Sequence, residues 1–185
     1  NIISLYDTAN ERIRLSTNIT VLGNILPDTT TNNRNIGSLT QVFNQAYITT
    51  LNGTATQAKY ADLAENYLAD ADYEPGTVLV FGGENEVTEC MIKSDRRVAG
   101  VVTTNPAHLM NSELQGDHVV GLALQGRVPC KVIGVVRKGD MLVSSAVPGY
   151  AIATNEPGIG EVIGKAVGTK SDAGKGIVEI VVGRV

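Results

Sequence analysis

From Tyr73 onward the chain is a succession of short Val- and Ile-rich runs, each closed by glycine or a turn, and no other feature narrows its fold as much. The runs fall at 77–81, 98–102, 119–124, 128–136, 140–143, 161–167 and 177–182. Pieces this short and this β-branched are read as strands, because branched side chains pack well on a pleated surface and lose rotamer freedom in a helix. The expectation is a compact β barrel or sandwich over residues 73–185. Glu74-Pro75-Gly76-Thr77-Val78-Leu79-Val80 is echoed by Arg137-Lys138-Gly139-Asp140-Met141-Leu142-Val143. Each reads as a turn that delivers the chain into a strand, which predicts two related half-barrels.

Residues 1–54 alternate apolar or β-branched residues with Asn, Thr and Ser, as in Arg12-Ile13-Arg14-Leu15-Ser16-Thr17-Asn18-Ile19. The period of two marks strands, broken by turn signals at Pro27-Asp28, Asn32-Asn33 and Asn52-Gly53. Large apolar residues are too sparse there to bury a core within one chain. Sharing a core between identical chains solves this, so an intertwined homotrimeric β stalk is expected over 1–54.

Between the two regions, residues 55–72 are rich in Ala and lack Gly and Pro. Tyr60, Ala64, Tyr67 and Ala71 recur at a/d-like spacing, which predicts one short central helix with a packing stripe. Thr54 or Thr56 would cap its start. Such a helix would align three chains on a common axis or pack on its own β domain, and the pattern leaves both open.

A formal net charge of −4 with no Lys/Arg cluster argues against a nucleic-acid partner. Lys93 to Arg97 contains Asp95 and reads as a solvated turn. No apolar run is long enough to cross a bilayer as a helix, so no membrane insertion is expected. Cys90 and Cys130 are too few and too far apart for a disulfide framework, and they are expected to be buried free thiols. With His108 and His118 they lack paired ligand spacing, so no metal is expected. No cofactor is expected either, since the glycine runs at 158–160 and 174–176 lack P-loop spacing. Ser144 or Ser145 with His118 could be drawn as a triad, but no nucleophile-elbow pattern surrounds either serine. The sequence starts at Asn1 rather than Met, so it is expected to lie inside a longer polypeptide or to follow processing.

Asp62 and Glu65 stand three apart, which on a helix puts both carboxylates on one face. Two crowded, partly desolvated carboxylates share a proton and can serve as general acid and base. The commoner fate of such a pair is simply the wet face of its helix.

Tyr60-Ala61-Asp62-Leu63-Ala64-Glu65-Asn66-Tyr67, preceded by Asn52-Gly53 and followed by Tyr73-Glu74-Pro75-Gly76, resembles the start of the C-terminal domain of phage tail fibres and pre-neck appendages. That family includes self-cleaving intramolecular chaperones. The resemblance runs over about residues 50–110 and takes in Gly82-Gly83, Ser94-Asp95, Ala99-Gly100-Val101-Val102 and Asn105-Pro106. A second likeness, to a phage fibre-shaft module, lies on Gly23-Asn24-Ile25-Leu26-Pro27, Asn35-Ile36-Gly37-Ser38 and Phe43-Asn44-Gln45-Ala46-Tyr47-Ile48. The first resemblance implies a cut before Asp62, with Asp62 and Glu65 as the catalytic residues. Ala61 departs from the pattern, which has Ser there, and a lost hydroxyl would slow or abolish cleavage.

The resulting expectation is a structural C-terminal part of a tail fibre or virion appendage that trimerises, sets chain register and caps the fibre. Its partners would be copies of itself and other virion proteins, and it would be assembled in the host cytoplasm. The alternatives are an intramolecular chaperone that cuts itself before Asp62 and a host-surface adhesin. The adhesin is favoured least, since the chain has no Trp and two Phe with which to stack sugar rings.

Overall fold

A strand of 15 residues, β6 (Val119–Ile133), organises the computed structural model. The structure describes residues 61–183, with isolated positions at 22, 24, 36, 40, 43, 46–48 and 50. The chain divides into two units, residues 1–53 and 54–185. The stalk expected over 1–54 and the shaft-like module lie, apart from those isolated positions, outside the described residues. So do Tyr60 and the first part of the expected helix.

Among the described residues the elements are all strands. They are β1 (Asp62–Leu68), β2 (Val78–Phe81), β3 (Val87–Glu89), β4 (Val98–Val102), β5 (His108–Met110), β6, β7 (Met141–Ser144), β8 (Ala151–Thr154), β9 (Val162–Ala166) and β10 (Lys175–Val182). Pairing closes them into two five-stranded rings that share β6. In the first, β1 pairs the N-terminal half of β6, which pairs β4, then β2, then β3. A parallel bridge from Val87 to Ala69 returns to the end of β1. In the second, the C-terminal half of β6 pairs β10, then β9, β7 and β8. Ala151 closes that ring by a parallel pairing to Val132.

The two rings are copies of one plan. Leu79 pairs Gly100 and Glu89 in the first, where Leu142 pairs Gly164 and Ala153 in the second. A register shift follows Leu79 and another follows Leu142. The Gly76 N–H donates to the Val102 carbonyl at 2.8 Å, and the Gly139 N–H donates to the Ala166 carbonyl at 2.8 Å. The Val102 N–H returns to Thr77 and the Ala166 N–H to Asp140, both at 2.9 Å. The echo in the sequence was therefore the start of a whole internal repeat. Its two copies meet in β6, which is the last strand of one barrel and the first of the next.

Gly100 and Gly164 show why glycine is required at matching places. A Cβ on Gly100 would lie 2.4 Å from the Ala123 carbonyl oxygen, and one on Gly164 would lie 2.1 Å from that of Val181. Each glycine lets the partner backbone close in where the register shifts.

Strand alternation sorts the core. Leu79, Ala99, Val102, Val120 and Leu122 fill the first barrel. Val78, Val80, Val101 and Ala123, from the other face of those strands, join Leu142, Ile163, Val178 and Ile180 in one larger cluster with the second barrel. Each fully buried Leu or Ile contributes about 1.5–3 kcal/mol by leaving water. Cys90 and Cys130 are free thiols inside that cluster, as expected.

The helix expected over 55–72 is corrected over its described part, because residues 62–68 form β1. Helix propensity is a weak prior, and here two flanking strands claim the backbone of this segment. Ala64 is fully buried, Tyr67 is half-buried, and Ala71 falls in the bend beyond β1. They do not form a helical stripe.

Replacing Gly100 or Gly164 with Ala should each cost about 3 kcal/mol in urea unfolding, because the new methyl meets backbone rather than a side chain that can swing away. A loss under about 1 kcal/mol at either position would contradict the close approach.

Candidate functional site

β1 begins at the Ala61–Asp62 junction that the sequence singled out. Asp62 is buried, with 5% of its surface exposed, and its Oδ2 has no hydrogen-bond partner. Burying a carboxylate oxygen without a partner is costly, which makes the position a candidate for function. The flanking backbone, by contrast, is held. The Ala61 carbonyl accepts from the Arg127 N–H at 3.2 Å, and the Asp62 carbonyl accepts from the Ala107 N–H at 2.8 Å.

Gly126 makes this approach possible. Its φ of +105° lies where side chains are disfavoured, and a Cβ there would stand 2.1 Å from the Ala61 oxygen and 2.7 Å from the Asp62 Cα. β6 passes from the first barrel to the second at this residue, which pairs both Asp62 and Val182.

Glu65 lies elsewhere. Successive residues of a strand face opposite sides, so Asp62 and Ala64 share one face while Leu63, Glu65 and Tyr67 share the other. The Tyr67 hydroxyl donates to Glu65 Oε2 at 2.9 Å, and the Tyr67 ring meets Phe81 edge-on at 5.9 Å. One chain does not bring the two carboxylates together, and the shared face inferred from helical spacing is lost with the helix.

The triad drawn from Ser144, Ser145 and His118 is not assembled either. The buried Ser144 hydroxyl donates to the Ile92 carbonyl and accepts from the Asp95 N–H, both at 2.8 Å. The Ser145 hydroxyl bonds Val147, and His118 Nδ1 lies 2.9 Å from Asp72 Oδ1. These serines splice the 91–97 loop and its neighbours to β7. In that loop Asp95 accepts from the Arg97 N–H, Nε and Nη2, so the guanidinium beside it holds its carboxyl below its usual range.

A cleft of about 260 Å³ lies where the barrels meet. Matching positions of the two repeats line it, Val98 with Val162 and Leu124 with Val182. Among the described residues Arg96 is the only charged one in its lining. Among the described residues no group of three or more His, Cys, Asp or Glu is placed to hold a metal ion.

Sequence reasoning missed the hold of Gly126 and Arg127 on the junction. The signal was present, since a lone glycine within a strand pattern marks a bulge or a close backbone approach. It also missed Lys170, whose side chain is 8% exposed. Its ammonium donates to the carbonyls of Asp172 and Gly174 at 2.7 and 2.6 Å and to Asp172 Oδ1 at 2.8 Å, clasping the turn before β10.

No family model and no curated protein matches the chain. Among solved structures, the N base of the head fiber gp8.5 of bacteriophage phi29 is similar, with a TM-score of 0.42 and 16% identity, over 66% of this chain and 94% of that one.

Two outcomes test this geometry. A folded-state pKa below the unfolded value of about 3.9 means that Asp95 stabilises the fold above that pH and loses its effect as pH falls through the lower folded value. Asp95→Asn should therefore lower the melting temperature at pH 7 and flatten its decline in acid, and an unchanged acid limb would contradict the pairing. Burial pushes both thiols up, Cys130 furthest, so neither should react with a thiol reagent at pH 8 until the protein unfolds. Rapid labelling of the native chain would contradict their placement.

Proposed function

We propose that this chain is the C-terminal structural part of a phage tail fibre or related virion appendage, which trimerises, sets chain register and closes the fibre end. The observation that carries the reading is the seating of the junction. The chain arriving at Ala61 passes straight into β1, a strand paired on both edges and built into the first barrel. Such a strand anchors whatever precedes it to a rigid double barrel. The resemblance of residues 50–110 to fibre and appendage C-terminal domains supports the same role, and the thin period-two pattern of residues 1–54 supports sharing a core among three chains. Copies of itself and other virion proteins are the proposed partners.

A second reading is favoured by one specific observation, the unpartnered Oδ2 of buried Asp62 beside the Ala61–Asp62 bond. On this reading the chain cuts itself there after trimerisation and the double barrel departs as a spent chaperone. Asp62 and Glu65 face opposite sides of β1, so their cooperation would have to come from different chains.

Sedimentation velocity and native mass of the full chain separate the outcomes. The structural reading expects an uncut trimer at micromolar concentration, and a monomer there would overturn it. Fragments ending at Ala61 and beginning at Asp62, abolished in Asp62→Asn, would establish the second reading instead.

A further inference from the structure

The two repeats differ most in one connection. Between β9 and β10 the chain needs only residues 167–174, whereas between β4 and β6 it runs through 103–118, a stretch twice as long that contains β5. The shorter connection shows that the plan closes without the extra residues.

The additional chain lies along one edge of β1. β5 pairs β1 in parallel, with Leu63 beside His108, Ala64 beside Leu109 and Glu65 beside Met110. Ala107 donates its N–H to the Asp62 carbonyl at 2.8 Å, and the Asn111 side chain donates to the Asn66 carbonyl at 3.2 Å. Asn111 holds φ at +53°, a conformation that asparagine tolerates better than most residues. The bonds to Asp62 and Asn66 meet β1 groups that turn away from β6.

The matching edge in the second barrel belongs to the C-terminal half of β6, and there the first repeat covers it. The Arg127 N–H donates to the Ala61 carbonyl at 3.2 Å, and the Lys131 N–H donates to the Gly76 carbonyl at 2.8 Å. The first repeat thus satisfies this edge for the second, and at the matching edge of the first repeat the residues in place are those of 103–118.

We infer that residues 103–118 are a capping strap, inserted into the first repeat to cover the edge of β1 that a preceding repeat would otherwise cover. An uncovered edge leaves backbone donors and acceptors free to pair with another chain, and tandem arrays characteristically need atypical terminal elements for this reason. The strap also fixes the first residues of β1, where the upstream chain arrives. The inference concerns the junction proposed above as an anchor and does not depend on trimerisation.

Hydrogen exchange read by mass spectrometry on the full chain tests it. Asn111→Gly removes the bond to Asn66 while suiting the backbone angle, and Ala107→Pro removes the donor to Asp62. Each should speed exchange within residues 62–66 by roughly ten-fold or more, with β7 to β10 unchanged. Replacing 103–118 with the sequence of 167–174 should expose the same residues further and add self-association beyond the native assembly. Unchanged exchange in β1 for both point variants would overturn the inference. Equal loss of protection in both barrels would overturn it too, since the segment would then be core rather than cap. Sedimentation of Asn111→Gly keeps this separate from the proposed assembly, because its native oligomer should persist whether or not β1 loosens.

Discussion

Both barrels depend on a single strand that each must share. β6 contributes its first half to one ring and its second half to the other, and it changes allegiance at Gly126. A side chain at that residue would drive into the Ala61 carbonyl and the Asp62 Cα, so the absence of a Cβ is what allows the upstream chain to cross so closely. Because one strand serves two hydrogen-bonded rings, neither barrel can slip register without displacing the other. The shared apolar cluster enforces the same coupling through packing, with Val78, Val80 and Val101 of the first barrel buried against the second.

Duplication gives the architecture its economy and its asymmetry. Glycines at matching positions, the same register shift and the same turn bonds recur in both copies. The first copy meets the incoming chain and carries the extra segment along β1. The second copy leans on the first and closes with a short turn clasped by Lys170. Asp62 sits at the beginning of this series, buried with an unpartnered oxygen.

Much of the β architecture was legible. The runs at 98–102 and 177–182 fall on β4 and within β10, whereas the turn echo suggested two halves of one barrel and the strands pair into two barrels. The reason is physical, since β-branched residues between glycines have few other stable arrangements. β3, β5 and β8 were not legible, being three or four residues long with no clean alternation. β1 was misread as helix because Ala, Leu and Glu favour one locally, and the pairing that overrides this preference comes from residues far along the chain. That error propagated to the site, since helical spacing put Asp62 and Glu65 on one face and strand spacing separates them. The break left between 124 and 128 concealed the continuity of β6, although Gly126 was the clue to the crossing.

The conformation of residues 62–68 is the point on which the account turns, and cross-strand NOEs in a solution NMR spectrum of the full chain measure it directly. The account predicts contacts between β1 and β6, such as Tyr67 with Val120 and Glu65 with Leu122, alongside contacts from Ala64 to Leu109. A run of sequential amide contacts through Asp62, Ala64 and Tyr67, with no long-range partner, would mark a helix and contradict the double barrel at its starting strand.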